Sequence, residues 1–418
     1  MDRRTVIKGL AASASLSLGM RATYLRAQSG PLKIGVCYAL SGVGAPVGTQ
    51  FMKGTELAAL QVNRAGGLVG REIELVVRDD KYNSAESVAV AREIAGQGIN
   101  LIMGGSQTVT ALGLAPLAPE LNALVIIAGA AGMPVTHELY NKNIFRTVAN
   151  SYTQYSSFGR SLAENHPEVK KWISLAPDGD FGRDSALFFG NAVKKYAPGK
   201  DAEILETIYT QGTATDFRTQ INQLMGSEAE GLYVAVAGAA QISFFQQARS
   251  VGLYDKFKVI GEVGNGEVTG KALGKNTPQN LWSISYWNHS LEPFKSNPLS
   301  QELYDDYVAS TGDKFPPALV MAGWRSAMAL FQGIKKANAS ETDAVIAAME
   351  SLTFDTPGGP CSFRKEDHQM IATSFYSQMG PSDEDPFYKI LKMAQIDTSQ
   401  MIEPANPGVK FDVKALPQ

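Results

Sequence analysis

Short apolar runs that stop at glycine, each followed by a stretch of helical spacing, recur along this chain and restrict its fold more than any other feature. Leu32–Leu40 (LKIGVCYAL) runs into Ser41-Gly42-Val43-Gly44, Leu101–Met103 into Gly104-Gly105, and Leu124–Ile127 into Ala128-Gly129-Ala130-Ala131-Gly132. Near-continuous apolar runs of this length suit strands buried on both faces of a parallel sheet. Ile73–Val77 adds a strand ending in Arg78-Asp79-Asp80, and helices are expected over Phe51–Arg64 and Ser84–Gln97, with Ser84 as a cap. Strands alternating with helices make an α/β fold, a parallel sheet covered on both sides. One element reads poorly. Ala111–Leu121 carries Gly113, Pro116 and Pro119, which predicts a short helix with Pro116 near its first turn or at a kink.

A second alternating set follows. Helices are expected at Tyr152–Asn165, Arg183–Tyr196, Phe217–Met225 and Ala240–Val251, between strands at Trp172–Ala176, Glu203–Ile208, Gly231–Val236, Lys258–Ile260 and Leu281–Tyr286. Helices return at Pro298–Ser310, Ala318–Lys336 and Glu341–Leu352, and the tail from Phe354 is turn-rich, with strands near Thr373–Gln378 and Tyr388–Ala394. Two sheet-forming sets fit the length, since 418 residues exceed one ordinary core.

The junction Leu101–Thr110 (LIMGGSQTVT) carries the most chemistry. A strand stops at a glycine pair and opens into a helix, bringing backbone N–H groups and the hydroxyls of Ser106 and Thr108 to the strand end. The partial positive charge of a helix N-terminus suits a carboxylate. Strand ends of this kind are also where open α/β sheets collect ligands. Ordinary N-capping by Ser or Thr explains the same residues.

Bulk properties exclude several classes. Net charge is −3 with scattered Lys and Arg, which leaves no footprint for nucleic acid. No apolar run reaches membrane-spanning length. Cys37 and Cys361 lie far apart, so a disulfide and two buried thiols both stay open. The four histidines are dispersed, and no metal site is expected. Residues 1–30 read as an export signal: Arg3-Arg4, a mild apolar stretch from Gly9 to Met20, then Ala27 as a cleavage point. The pattern resembles a twin-arginine signal, with a Sec signal as the alternative. A periplasmic location follows from either.

Four segments carry a family resemblance: Ile34–Gly48 (IGVCYALSGVGAPVG), Ala65–Asp80 (AGGLVGREIELVVRDD), Ala89–Gly105 and Gln247–Gly252 (QARSVG). They closely resemble the leucine/isoleucine/valine-type periplasmic substrate-binding proteins of bacterial ABC importers. The resemblance implies a two-lobed type I periplasmic binding fold with three interlobe crossovers. These are expected near Arg146–Asn150, Ser283–Trp287 and Leu352–Pro357. Lobe one is then 31–148 and 286–353, lobe two 149–285 and 354–405, and 406–418 a tail. The resemblance implies a monomer that needs no cofactor, captures a small molecule in the interlobe cleft and passes it to the membrane subunits of an importer.

Ligand positions carry over one at a time. Ser106, Gln107 and Thr108 follow strand three, with Thr108 best aligned to the family's carboxylate-binding serine. Gly129, Ala130 and Ala131 follow strand four, and Ala131 stands where the family commonly has threonine. Phe181 takes the place of an aromatic that is often tyrosine, and Glu262 that of the acid receiving an amino acid's ammonium. Val47 replaces a bulky aromatic of some relatives. These departures imply a larger, less polar pocket that keeps its carboxylate end. The implied ligand is a branched-chain or other hydrophobic amino acid, or an aromatic acid. Plain packing for Phe181 and a solvent-facing Glu262 are the alternatives.

Two other functions fit parts of the sequence. Gly42-x-Gly44-x-x-x-Gly48 with Asp79-Asp80 imitates a dinucleotide fingerprint, as in an exported NAD(P)-dependent oxidoreductase, although Pro46 and Val47 interrupt the turn. A ligand-sensing partner of a membrane receptor would use the same fold as an importer's binding protein. No G-x-S-x-G elbow marks a hydrolase.

Overall fold

The computed structural model describes residues 30–212, 214–263 and 266–413. The export signal assigned to residues 1–30 lies outside the described residues except for Gly30. No described helix is long and apolar enough to cross a membrane.

Five parallel strands form the first sheet: β1 (Leu32–Tyr38), β2 (Ile73–Asp79), β3 (Leu101–Gly104), β4 (Leu124–Ile127) and β5 (Ile144–Arg146), in the order β2-β1-β3-β4-β5. Alternate side chains enter two cores, Ile34, Val36, Met103 and Ile126 on one face and Cys37, Ile102, Val125 and Ile127 on the other. Burial on both faces is why these strands read as unbroken apolar runs. The helices α1 (Ala45–Arg64), α2 (Ser84–Gly96) and α3 (Thr108–Glu120) connect them. Helix α1 begins six residues before Phe51 because Pro46 occupies its first turn, where a missing N–H has no intrahelical partner to lose. Asn83, not Ser84, caps α2, its side chain accepting from the Glu86 N–H at 3.0 Å. Helix α3 runs unbroken, with Pro116 and Pro119 in its second half and not in its first turn. Pro119 leaves the Ala115 carbonyl without its helical donor, and Asn141 Nδ2 supplies one at 2.8 Å.

The second sheet is built by β6 (Lys171–Pro177), β7 (Glu203–Ile204), β8 (Ile208–Thr210), β9 (Gly231–Val234), β10 (Val259–Glu262) and β11 (Leu281–Ser285). The helices of this half are α4 (Ser151–Asn165), α5 (Asp180–Tyr196), α6 (Arg218–Gly226), α7 (Gly238–Ser250), α8 (Leu253–Lys256) and α9 (Gly266–Leu273). Trp172 and Tyr233 enter one core, Ile173, Leu175 and Leu232 the other. The single strand expected at Glu203–Ile208 is two. Ile204 pairs with Trp172 and Ile208 with Leu175, so the edge holds one residue more than β6 and leaves the ladder between them.

The chain then returns to the first lobe through α10 (Pro298–Thr311), α11 (Leu319–Ala337) and α12 (Thr342–Met349), followed by a small antiparallel sheet of β12 (Thr353–Thr356), β13 (Gly359–Phe363) and β14 (Met370–Ile371). The sequence division put residues from 354 onward in lobe two and the third crossover near Leu352–Pro357. Phe354, Cys361, Phe363 and Met370 instead join the first core. The chain enters the second sheet only at β15 (Thr373–Pro381), antiparallel to β11, with β16 (Tyr388–Asp397) beyond it. A hairpin with strands of four and five residues cannot cover its own apolar face and takes the nearest core. Both cysteines are buried and free.

Residues after β16 run back across the crossovers. Phe411 meets Phe188 of the second lobe and His137 of the first. Glu403, almost wholly buried, accepts from Asn150 Nδ2, faces His137 Nε2 at 3.3 Å and stands 3.5 Å from the Arg364 guanidinium. Burial alone would raise its pKa. Hydrogen bonds from His137 and Asn150 and the charges of Arg146 and Arg364 bring it down to about 2. A carboxylate depressed in the folded state adds stability above its unfolded pKa and loses it as pH falls through the folded value. Denaturant melts between pH 4.5 and pH 2 should therefore show a loss on the order of 3 kcal/mol that Glu403→Gln lacks. Parallel acid profiles for the two proteins would contradict this.

Candidate ligand-binding site

In the first sheet, β1 has β2 on one side and β3 on the other, so the strand order reverses between β1 and β3. Loops leaving such a pair diverge to opposite faces and open a crevice at the strand ends. The loop after β1 and the loop after β3 meet there: Gln107 Nε2 donates to the Gly44 carbonyl at 2.9 Å. The loop after β4 closes on the same point. Gly129 N donates to Gly105 O at 3.1 Å, and Gly132 N to Thr108 Oγ1 at 3.1 Å. A Cβ on Gly129 would fall 2.3 Å from the Ser106 carbonyl and 2.8 Å from the Phe51 ring, so only glycine allows this approach. Helix α3 starts at Thr108, and the side chain of its N-cap, Gln107, makes no capping bond. The first-turn N–H groups are thus left to another acceptor.

The hydroxyls differ from expectation. Ser106 is 1% exposed and donates to its neighbour Gln107 Oε1 at 2.7 Å, so it braces the loop instead of facing outward. Thr108 is half-buried, and its oxygen accepts from Gly132, which leaves its own O–H to donate. Ala130 is buried, while Gly129, Ala131 and Val47 are half-buried.

The second sheet reverses between β6 and β9. Phe181, in the first turn of α5 just after β6, is 45% exposed and meets the Tyr155 ring edge-on at 6.1 Å. An aromatic this open presents part of its ring to solvent while its edge packs on Tyr155. Glu262 ends β10 and is wholly buried, so it does not face solvent. Its Oε2 accepts from Gln241 Nε2, a partner on α7 that the sequence did not suggest. Among the described residues, no hydrogen bond or ring contact joins the loops of the first sheet to Phe181. The structure therefore brings Ser106–Thr108 and Gly129–Gly132 together with Gly44, leaves Val47 in the first turn of α1 against the first core, and carries Phe181 and Glu262 on the elements of the second sheet.

Asp79 and Asp80 have structural roles. Asp79 Oδ1 accepts from the backbone N–H of Leu40 and of Lys81, each at 2.8 Å, and Asp80 Oδ1 from Tyr82 at 3.1 Å. Burial raises Asp80 to a pKa of about 6. Carboxylates engaged with these backbone turns are not presented to a ribose. No group of His, Cys, Asp and Glu suited to a metal occurs among the described residues.

Residues 31–384 match the family described as periplasmic binding protein. The chain belongs to that family. This periplasmic binding protein is 26% identical, over 84% of its own length and 90% of the relative's, to a leucine-, isoleucine-, valine-, threonine- and alanine-binding protein of Pseudomonas aeruginosa. Its fold matches an ABC-type branched-chain amino acid transporter protein of Rhodopseudomonas palustris with a TM-score of 0.76 at 24% identity, covering 90% of this chain and 99% of that one. It also matches an ABC transporter solute-binding protein of the same species, solved with 3,4-dihydroxybenzoic acid, at a TM-score of 0.72 and 22% identity, covering 88% and 98%. The resemblance read from the sequence is borne out, and membership in a family of binding proteins sets aside the oxidoreductase reading.

Proposed function

We propose that this protein captures a small carboxylate with a bulky apolar group in the cleft between its lobes and delivers it to an ABC importer. The observation that carries the reading is the convergence of three loops of the first sheet on the uncapped N-terminus of α3. That point offers backbone N–H groups, the Thr108 hydroxyl and the helix's partial positive charge to a carboxylate. Relatives named for branched-chain amino acids and for a dihydroxybenzoic acid complex share the need for a carboxylate. Phe181 stands on the opposite lobe as an exposed apolar face for the rest of the ligand. Closure removes water from both halves and is favoured by ligand contacts present only in the closed state. Export to the periplasm and a monomeric state belong to the same reading.

A thermal-shift panel of leucine, isoleucine, valine, phenylalanine, benzoate and 3,4-dihydroxybenzoate tests it. A compound at 100 times its dissociation constant should add about 2.7 kcal/mol of stability. With the best binder of that panel, Thr108→Ala should weaken binding by roughly 1–3 kcal/mol and Thr108→Ser should restore most of it. Equal affinity of all three proteins in calorimetry removes Thr108 from the site.

A further inference from the structure

A second feature lies at the crossovers and uses none of the loop residues described above. Arg325, on α11, is 6% exposed, and its Nε is wholly buried without a hydrogen-bond partner. Among the described residues it forms no ion pair. It lines a cavity of about 30 Å³ between the three crossing segments. Thr147 comes from the first crossing, Ser285 and Tyr286 from the second, Ser374 from the third, and Gln154 from the start of α4. An arginine cannot shed its proton to escape burial. A buried cation is stable only with a counter-charge and hydrogen bonds around it. The cavity wall supplies hydroxyl and amide donors but no carboxylate.

We propose that this cavity is an anion site in which Arg325 receives a small carboxylate. A planar guanidinium matches a carboxylate with two parallel N–H···O bonds, which a spherical halide cannot use. The volume has room for a carboxylate head and little more. Because residues from all three crossings line it, an occupant can bond to each of the connections between the lobes. The carboxylate comes either from solution or from the captured ligand itself.

The test replaces chloride by formate at constant ionic strength while the melting temperature is followed. The wild-type protein should gain about 2–4 °C along a saturable curve, and Arg325→Met, similar in length but uncharged, should gain nothing. Arg325→Lys, which keeps the charge without the fork, should respond at higher formate only. Leucine and benzoate titrated with and without formate separate the sources. Suppression of their binding by formate that Arg325→Met abolishes means that their own carboxylate enters the cavity, whereas unchanged affinity, or suppression that persists in Arg325→Met because formate competes at the N-terminus of α3, means that a free anion does. A wild-type protein indifferent to formate overturns the proposal whether or not the variants fold. An equal response in Arg325→Met overturns it too.

Discussion

Arg146→Met should lower the free energy of unfolding by about 3–5 kcal/mol, the cost of breaking a buried charged network from one side. Arg146 ends β5 and is wholly buried. Its Nη1 donates to the Gly132 carbonyl at 2.6 Å, its Nε to Gln369 Oε1 at 2.5 Å and its Nη2 to the Thr136 hydroxyl. Gln369 in turn donates from Nε2 to the Val148 carbonyl at 2.8 Å. One guanidinium thus joins the loop after β4, the first crossing and the chain just before the third. Burial pulls its pKa down to about 10, which leaves it charged at neutral pH, with Glu403 and Asp367 as the nearby countercharges. Methionine fills much of the space but leaves the Gly132 carbonyl, Gln369 Oε1 and the Thr136 oxygen without their donor and Glu403 with less positive charge around it. Urea unfolding followed by tryptophan fluorescence reads the effect. A loss under 1 kcal/mol would mean that the network contributes little to stability. Because Gly132 also donates to Thr108, the same variant should weaken ligand binding more than its distance from the cleft suggests.

Gly54→Val should cost about 3 kcal/mol or prevent folding, at the upper end of what overpacking does. A Cβ on Gly54 of α1 would lie 2.0 Å from the Val320 carbonyl and 2.5 Å from the Trp324 nitrogen of α11. The contact is mutual, since a Cβ on Gly323 would lie 2.3 Å from the Phe51 carbonyl. These obstacles are backbone, not movable side-chain ends, so the helices must separate to admit valine. Separation would shift Ser326, whose hydroxyl meets Thr147 Oγ1 at 2.6 Å, and with it the first crossing. Soluble yield and a thermal melt measure the outcome. A variant that melts within about 2 °C of wild type would show that the two helices can move apart at little cost.

The sheets were legible because their signal is local. Ile34, Val36 and Cys37 are apolar in sequence whichever face each one takes, and the glycines that stop β3 and β4 mark the loops where ligands gather. Side-chain partners were not legible. Ser106 bonds to the adjacent Gln107 only because Gln107 is also held by Gly44, 63 residues away. Glu262 is buried against Gln241 by the packing of α7 on β10, which no spacing in the sequence encodes. The hairpin at Thr353–Phe363 reads as part of the tail because its turn, Pro357-Gly358-Gly359-Pro360, says where the chain reverses but not which core its phenylalanines enter. Arg325 went unnoticed for the same reason. A lone arginine in an amphipathic helix looks like any solvated charge until the crossings are seen to surround it.

A crystal structure with the tightest compound of the thermal-shift panel tests the account most directly. The account predicts the ligand between the lobes, its carboxylate within hydrogen-bond distance of Thr108 Oγ1 and of first-turn N–H groups of α3, and Phe181 against its apolar end. A ligand seated elsewhere, with the loops after β3 and β4 untouched, would contradict it.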